Sequence, residues 1–241
     1  MKFLVLLPLF AALLVAGCGE KSSPEGSESA SESAEPSADT AKPAPAEPPV
    51  AESASEESSD TPNSLSDADV ERLLKEAVDV KSLEERNDLY YQPNESEPFS
   101  GWVKQVADSG YVRGIGQCKD GKPEGLAISW YENGQKSVEV TYKDGKMNGG
   151  YTRWRENGQK EEEGTYKDGK FYGLWTNWHE NGQKEEEGTY KDGKIHGLWT
   201  NWHENGQKRA EYMWKDDKPD GPQKYWNSKG EEVETPEEAD E

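Results

Sequence analysis

The sequence predicts an all-β fold: an elongated meander of 24-residue β-hairpin repeats, preceded by a disordered tether and one short helix. Three observations predict it. Glycine recurs every 24 residues from Gly101 to Gly221 without a change of spacing. Each period holds two short runs that end in Asn-Gly or Asp-Gly, the pairs typical of tight hairpin turns. Only 31% of the chain is hydrophobic, but all nine Trp lie between Trp102 and Trp226, so the apolar material is concentrated in the repeats.

Residues 1–18 are typical of an export signal. Lys2 gives a positive start, and residues 3–16 form an apolar run of 14 residues. That run is too short to cross a bilayer, which needs roughly 20 residues. Val15-Ala16-Gly17-Cys18 resembles the lipobox of bacterial lipoproteins, and the resemblance implies that Cys18 is acylated and becomes the first mature residue. A plain secretory peptide with an incidental cysteine is the alternative.

Residues 19–64 consist almost entirely of Ser, Ala, Glu, Pro, Thr and Asp, without an aromatic residue. Such a segment buries too little apolar surface to fold, so we expect a disordered tether, with an acidic interaction tail as the alternative. Residues 1–100 carry 21 acidic and 7 basic side chains, so the net charge of −21 lies mainly in this part. Because the repeats are nearly neutral, we do not expect them to bind nucleic acid or to bind anionic lipid electrostatically.

Residues 65–88 are predicted to form a short helix and cap. Ser66 can cap the helix, with Asp67 and Asp69 favourably placed in its first turn. An apolar stripe follows at helical spacing, and we expect it to pack on the first repeat, a partner-binding helix being the alternative. Its residues are Val70, Leu73, Leu74, Ala77 and Val78.

Residues 89–234 form the predicted repeat array, with five full units and a truncated sixth, and residues 235–241 a disordered acidic tail. Side-chain parity led us to predict three-residue loops at both kinds of turn, those of 132–134 and of 143–145. Leu126, Ile128, Trp130, Val138, Val140 and Tyr142 should then share one apolar face. The structural positions are Trp130, Trp154, Trp178, Trp202, Trp226, Gly134, Gly158, Gly182, Gly206, Gly145, Gly169 and Gly193.

The opposite face should be exposed to solvent and carry mostly charged and polar side chains, with two tryptophans among them. Because repeat arrays bind partners on such faces, we predict a partner-binding surface there, with packing of the sheet against a neighbour as the alternative. Its residues are Trp175, Asn177, His179, Trp199, Asn201 and His203.

Motifs for catalysis and cofactors have simpler interpretations. The phosphate-loop-like segment 164–170 is followed by Phe171, where Mg²⁺ binding needs Ser or Thr. His179 and His203 lie two strands apart, about 10 Å, which is too far for one metal ion. The repeated glutamates are typical of solvated strand positions. Cys118 replaces a repeat tyrosine and should be a small buried filler, so we predict no catalytic residue, metal or cofactor.

The repeat resembles the bacterial variant of the MORN repeat over about residues 88–230. In the best-preserved unit the resemblance is carried by Trp178, residues 180–184 (ENGQK), Gly188, Tyr190, residues 191–194 (KDGK) and Gly197. The resemblance implies a scaffold that makes protein or lipid contacts. Bacterial members are often labelled YwqK-type antitoxins.

These observations together predict a non-enzymatic, lipid-anchored protein of the cell envelope that acts as a protein-interaction scaffold. The resemblance to bacterial lipoproteins implies the outer membrane if the host is Gram-negative, because Gly19, and not Asp, follows Cys18. The partners expected are the membrane, through the N-terminal lipid, and a protein of unknown identity, with a glycan possible and nucleic acid not expected. The alternatives are a carbohydrate or peptidoglycan binder using Trp175 and Trp199 as stacking platforms, and an antitoxin-like neutraliser of an envelope or secreted toxin.

Overall fold

The computed structural model describes residues 65–240. The predicted signal peptide, Cys18 and the tether of 19–64 therefore lie outside the described residues. The elements are α1 (Asp67–Glu76), β1 (Val78–Asp79), a 3-10 turn (Val80–Ser82), β2 (Glu84–Arg86), β3 (Leu89–Tyr91), β4 (Gly101–Val106), β5 (Val112–Lys119), β6 (Lys122–Trp130), β7 (Lys136–Lys143), β8 (Lys146–Trp154), β9 (Lys160–Lys167), β10 (Lys170–Trp178), β11 (Lys184–Lys191), β12 (Lys194–Trp202), β13 (Lys208–Lys215), β14 (Lys218–Pro219), β15 (Lys224–Trp226), β16 (Glu232–Val233) and α2 (Pro236–Ala239).

The predicted meander is confirmed. Strands β4 to β13 pair with their neighbours in chain order, and every one of these pairs is antiparallel. The short strand β1 adds to β4 in parallel at one end, and β15 and β16 continue the sheet at the other. Strand β14 pairs with β13 beside this path, and β2 and β3 form a separate hairpin. The chain thus builds one long sheet, hairpin after hairpin.

The wide turns at Asn-Gly have the predicted three-residue loop. In the turn of residues 132–134, Tyr131 N–H donates to the Gln135 carbonyl at 2.9 Å, and Gly134 N–H donates to the Tyr131 carbonyl at 3.0 Å. Gly134 has φ of 85°, the left-handed conformation that closes this loop and suits glycine. The turns before Gln159, Gln183 and Gln207 repeat the same hydrogen bonds.

The narrow turns at Asp-Gly are shorter than predicted. Lys143 pairs directly with Lys146, so Asp144 and Gly145 alone form the loop. Their φ angles are 51° and 83°, as a type I′ turn requires, and its twist matches the twist of the flanking strands. Aspartate tolerates the left-handed conformation better than most residues, which explains a two-residue loop here. The prediction of three-residue hairpins throughout is therefore wrong.

A bulge beside each wide turn divides the predicted apolar face between the two sides of the sheet. Trp130 pairs with Lys136, but Ser129 pairs with Val138, so β7 has one extra residue, Ser137. One extra residue reverses the facing of every side chain beyond it. Val138, Val140 and Tyr142 therefore lie opposite Ser129, Ala127 and Gly125, and not on the side of Leu126 and Ile128, as predicted.

We name the two sides by their side chains. The aromatic face carries Ala127, Val140, Tyr142, Tyr151, Trp175 and Trp199, and the leucine face carries Leu126, Ile128, Leu174, Thr176, Leu198 and Thr200.

Helix α1 covers the N-terminal part of the leucine face. Ser66 caps it as predicted, its hydroxyl accepting from Asp69 N–H at 3.2 Å. Leu73 and Ala77 are buried against Ile115 and Ile128, both of which are 0% exposed. Lys104 Nζ donates to the Leu74 carbonyl at 2.7 Å, near the C-terminal end of the helix, where a cation is favourable. The predicted packing of the helix on the first repeat is confirmed.

The segment that follows α1 covers the aromatic face of the first hairpin. Tyr90 and Phe99 pack on Val103 and Cys118, and Cys118 is 1% exposed. Burial raises the pKa of the Cys118 thiol to about 11. Because the thiolate is the reactive form, this cysteine is inert packing, as the sequence predicted.

The C-terminal residues 235–240 are ordered, where the sequence predicted a disordered tail. Thr235 caps the one-turn helix α2 by accepting from Glu238 N–H, and Ala239 is 1% exposed. Arg209 donates to both carboxylate oxygens of Asp240, at 2.7 and 2.9 Å. Two hydrogen bonds and a buried methyl group hold the tail on the last strands, which an acidic composition alone does not reveal.

Candidate interaction surface

The two tryptophans predicted to face a partner are buried. Trp175 is 7% exposed and Trp199 is 9% exposed. Trp175 stacks on Tyr151 with ring centres 5.5 Å apart and meets Phe171 edge-on at 4.6 Å. The bulges place both indoles on the aromatic face, where Trp175 belongs to the hydrophobic cluster and Trp199 meets Tyr190 edge-on at 5.5 Å. The expectation that they interrupt a wet, charged face is wrong.

Glycines on the neighbouring strands provide the space for these indoles. A β-carbon added at Gly164 would overlap the Trp175 ring, and one added at Gly188 would overlap the Trp199 ring. Each tryptophan therefore lies flat on glycine backbone eleven residues before it. Where Tyr151 replaces tryptophan, its partner eleven residues earlier is Val140. The sequence contains this pairing as a correlated pattern, a glycine eleven residues before each of these tryptophans.

The predicted asparagines form a polar row beside the indoles. Trp175 Nε1–H donates to Asn177 Oδ1 at 3.0 Å. Asn177 and Asn201 both direct their amide groups to the carboxylate of Glu186, at 3.5 and 3.3 Å. In the preceding repeat Tyr151 donates to Glu162 at 3.2 Å. These contacts satisfy polar groups within the sheet, so the asparagines hold the aromatic face together.

The predicted histidines bind the next repeat. His179 Nε2 lies 2.9 Å from the Trp202 carbonyl, and His203 Nε2 lies 2.8 Å from the Trp226 carbonyl. With the proton on Nε2, each imidazole donates to a strand end 23 residues farther along the chain. Arg155 makes the same link to the Trp178 carbonyl, and Tyr131 makes it to that of Trp154. Among residues 65–240 no group of His, Cys, Asp or Glu is arranged to hold a metal ion.

The leucine face, in contrast, exposes large apolar side chains beyond the helix. Four of them form a patch that we call the leucine stripe: Tyr172, Leu174, Leu198 and Met213, with exposed fractions of 43%, 58%, 49% and 41%. Leu198 and Met213 are directly opposed across β12 and β13. Sequence reasoning missed the stripe because it placed leucine and tryptophan of one strand with the valines and tyrosines of the next.

A repeated arrangement of lysine, glutamate and tryptophan borders the stripe. Lys160 Nζ lies 2.9 Å from Glu163 and 5.7 Å from the centre of the Trp178 ring. Lys184, Glu187 and Trp202 repeat this arrangement in the next unit. Each lysine is neutralised by its glutamate, so the border carries no net charge.

The threonines between border and stripe, Thr176 and Thr200, are 6% and 7% exposed. The stripe is thus an apolar strip, with Lys167 Nζ beside it at 5.0 Å from the centre of the Tyr172 ring.

Comparison with known proteins supports the repeat assignment. Residues 123–144, 147–168, 171–192 and 195–216 match the MORN repeat variant. Four consecutive segments of this chain are thus similar to MORN repeats. No curated protein matches the chain.

Each MORN match begins in one strand, passes through a wide turn, and ends in the following narrow turn. The first match thus covers most of β6 and all of β7. The hairpin of β4 and β5 and the last short strands lie outside the matched segments, although they continue the same sheet. The leucine stripe lies entirely within the third and fourth matched repeats. Within the described part of the chain, no helix has the length and apolar character needed to cross a membrane.

Proposed function

We propose that this chain is a non-enzymatic, lipid-anchored protein of the cell envelope, whose MORN repeats form a scaffold that binds a protein partner through the leucine stripe. One observation carries the proposal. The same repeat position is half-buried at Leu126, which packs against the cluster that α1 forms with Ile115 and Ile128, but is open at Leu174 and Leu198. The largest exposed apolar patch on a monomeric protein is often functional, so the uncovered copies point to an interaction.

The family supports a role in binding. MORN repeats commonly serve as protein or membrane interaction modules. A sheet built from near-copies offers an extended surface in which neighbouring repeats present the same chemistry. Catalysis, in contrast, needs one unique arrangement of groups. The glutamates and histidines that an active site could use are engaged here in contacts that recur every 24 residues.

The anchor is supported by the sequence of residues 1–18. A short apolar run that ends in Ala-Gly-Cys favours acylation of Cys18 and retention at a membrane. We place the protein at the outer membrane if the host is Gram-negative.

Burial of Trp175 and Trp199 removes the exposed indoles on which the glycan-binding alternative depended. Sugars stack on accessible ring faces, and these faces lie on glycine backbone and neighbouring rings. A protein partner therefore has the stronger structural support.

The experiment is affinity capture of the tagged full-length protein from mildly crosslinked envelopes. Wild type is compared with Leu174→Asp/Leu198→Asp and with Lys229→Asp, which adds an acidic group in the last wide turn, away from the stripe. We expect one protein to be enriched with wild type and with Lys229→Asp, and to be lost with the double variant. Equal recovery with all three proteins would refute binding through the stripe.

A further inference from the structure

Helix α1 shows which kind of structure the leucine face accepts. Its buried residues Leu73 and Ala77 pack on Ile115 and Ile128, with Val70 and Leu74 at the margin of the same cluster. The outer side of the helix is polar, with Glu71, Lys75 and Glu76 exposed. The face therefore already binds one amphipathic helix within its own chain.

The surface beneath α1 recurs farther along the array. Leu126 and Trp130 pack against the cluster that α1 forms with the sheet, and their equivalents 48 and 72 residues later are Leu174 with Trp178 and Leu198 with Trp202. Ile128 becomes Thr176 and Thr200, which keep the branched shape and are buried to a similar degree. The second repeat has Gly150 at the leucine position, which interrupts the pattern between the covered and uncovered copies.

We propose that the leucine stripe is a docking site for an amphipathic α-helix of a protein partner. This inference rests on the proposed function and specifies the class of partner. The helix presents leucine-like side chains with i, i+3, i+4, i+7 spacing to the stripe and polar side chains to solvent.

The dimensions of the sheet fit such a helix lying across the strands. Leu174 and Leu198 stand on β10 and β12, two strand spacings apart, which is about 9.5 Å. Two turns of an α-helix advance about 10.8 Å, so side chains at i and i+7 reach the two leucines together. Met213, on β13, extends the contact by one more strand.

The chemistry of the surroundings favours the same occupant. Thr176 and Thr200 are small and buried, so the helix backbone can approach the sheet closely. The lysines at the border are paired with glutamates, and Lys167 lies over the Tyr172 ring, so the site offers mainly apolar contact with a single cation beside it. An anionic lipid surface would instead favour unpaired cations.

The test uses detergent-solubilised full-length protein and a fluorescent peptide of residues 65–78, constrained as a helix by a hydrocarbon staple between positions 71 and 75. The staple is needed because an isolated helix of this length is marginal in water. Binding is measured by anisotropy, and a photoreactive group at position 73 of the peptide maps the site. The control peptide carries Leu73→Asp and Leu74→Asp within the same staple, with the photoreactive group at position 70.

We expect the peptide to bind wild type and Lys229→Asp alike, to bind Leu174→Asp/Leu198→Asp about tenfold or more weakly, and to crosslink to β10 and β12. Both leucines are half-exposed, so the double variant should keep its fold, which circular dichroism checks. Undetectable binding, equal binding by the double variant, or binding of the control peptide would overturn the inference.

Two further measurements identify other occupants. A dimer in sedimentation velocity that is lost in the double variant would show a second copy on the stripe and overturn the inference. Flotation of a Cys18→Ala chain with phosphatidylglycerol vesicles would show a lipid surface on the stripe if the double variant no longer floats. That result would also overturn the inference. If envelope capture depends on the stripe but the helical peptide fails to bind, the scaffold stands and only the helical partner is refuted.

Discussion

The indole of Trp175 lies directly on the backbone of Gly164, at a distance that leaves no room for a β-carbon on the glycine. Trp199 and Gly188 repeat the relationship in the next unit. Size complementarity between a large ring and an absent side chain therefore fixes how neighbouring repeats pack on the aromatic face. The array is held by this packing and by the hydrogen bonds between repeats.

Gly164→Ala should destabilise the protein by about 1–3 kcal/mol, because the added methyl group overpacks the contact with Trp175. The matched control is Gly150→Ala. Neither glycine has a positive φ, and a β-carbon at Gly150 meets no atom within 4 Å. The control should be neutral or stabilise by about 0.4–1 kcal/mol through the unfolded chain. Urea unfolding of the two variants in a Cys18→Ala background measures the difference, and equal stabilities would contradict the packing described here.

Asparagine in a narrow turn should leave the stability of the protein nearly unchanged, whereas a β-branched residue there should lower it. Asp144 has φ of 51°, and valine in the left-handed region costs about 1–2 kcal/mol, whereas asparagine adopts it readily. We expect Asp144→Val to lower the free energy of unfolding by about that amount and Asp144→Asn to leave it nearly unchanged. Similar stabilities for the two variants would argue for a longer, more relaxed loop.

Stability should depend on the ionisation of Glu162. Burial raises the pKa of its carboxyl above the usual 4.5, although Arg153 and the Tyr151 hydroxyl act in the opposite direction. The folded protein therefore binds this proton more tightly than the unfolded chain does. The resulting stabilisation is complete below pH 4.5 and is lost as the pH rises through the folded pKa.

Glu162→Gln should remove this fall in stability, so the variant gains on wild type as the pH rises above 4.5. Urea unfolding across this pH range measures the gain, with the exposed Glu232→Gln as control. A difference between wild type and Glu162→Gln that stays constant with pH would show that the carboxyl has the same affinity for its proton in both states.

The two cysteines should differ completely in modification. We expect mass spectrometry of the mature protein to find Cys18 at the N-terminus with an attached diacylglyceryl group, and Cys118 as a free thiol. Cys18→Ala should abolish the diacylglyceryl group and the mature N-terminus at position 18, whereas Cys118→Ala should change neither. A mature chain that begins elsewhere and fractionates as soluble protein would refute the anchor.

The sequence predicted the features that depend on local chemistry. The 24-residue period, the order of strands, the loop at Asn133-Gly134 and the Ser66 cap all follow from residues close together in the chain. The assignment of faces depends instead on register, and one bulge residue per hairpin, such as Ser137, reverses it. Together with the two-residue narrow turns, such bulges place Trp175 and Trp199 on the same face as Tyr190, and not on the predicted wet surface.

The predicted contact residues and the leucine stripe illustrate the same limit. His179 and His203 looked like surface groups because their acceptors, two backbone carbonyls in the next repeat, have no sequence signature. Leu174 and Leu198 repeat the position of Leu126, which packs against the cluster that α1 completes, and how far α1 reaches along the sheet cannot be deduced from repeat units that are nearly identical.

Site-specific photo-crosslinking in intact cells tests the central claim most directly. A photoreactive amino acid is placed at position 198 in the stripe and, as control, at position 229 in the last wide turn. Binding through the leucine stripe predicts one adduct of defined mass with a single protein at position 198, and none at position 229. Absence of any adduct at position 198, or the same adduct at both positions, would contradict it.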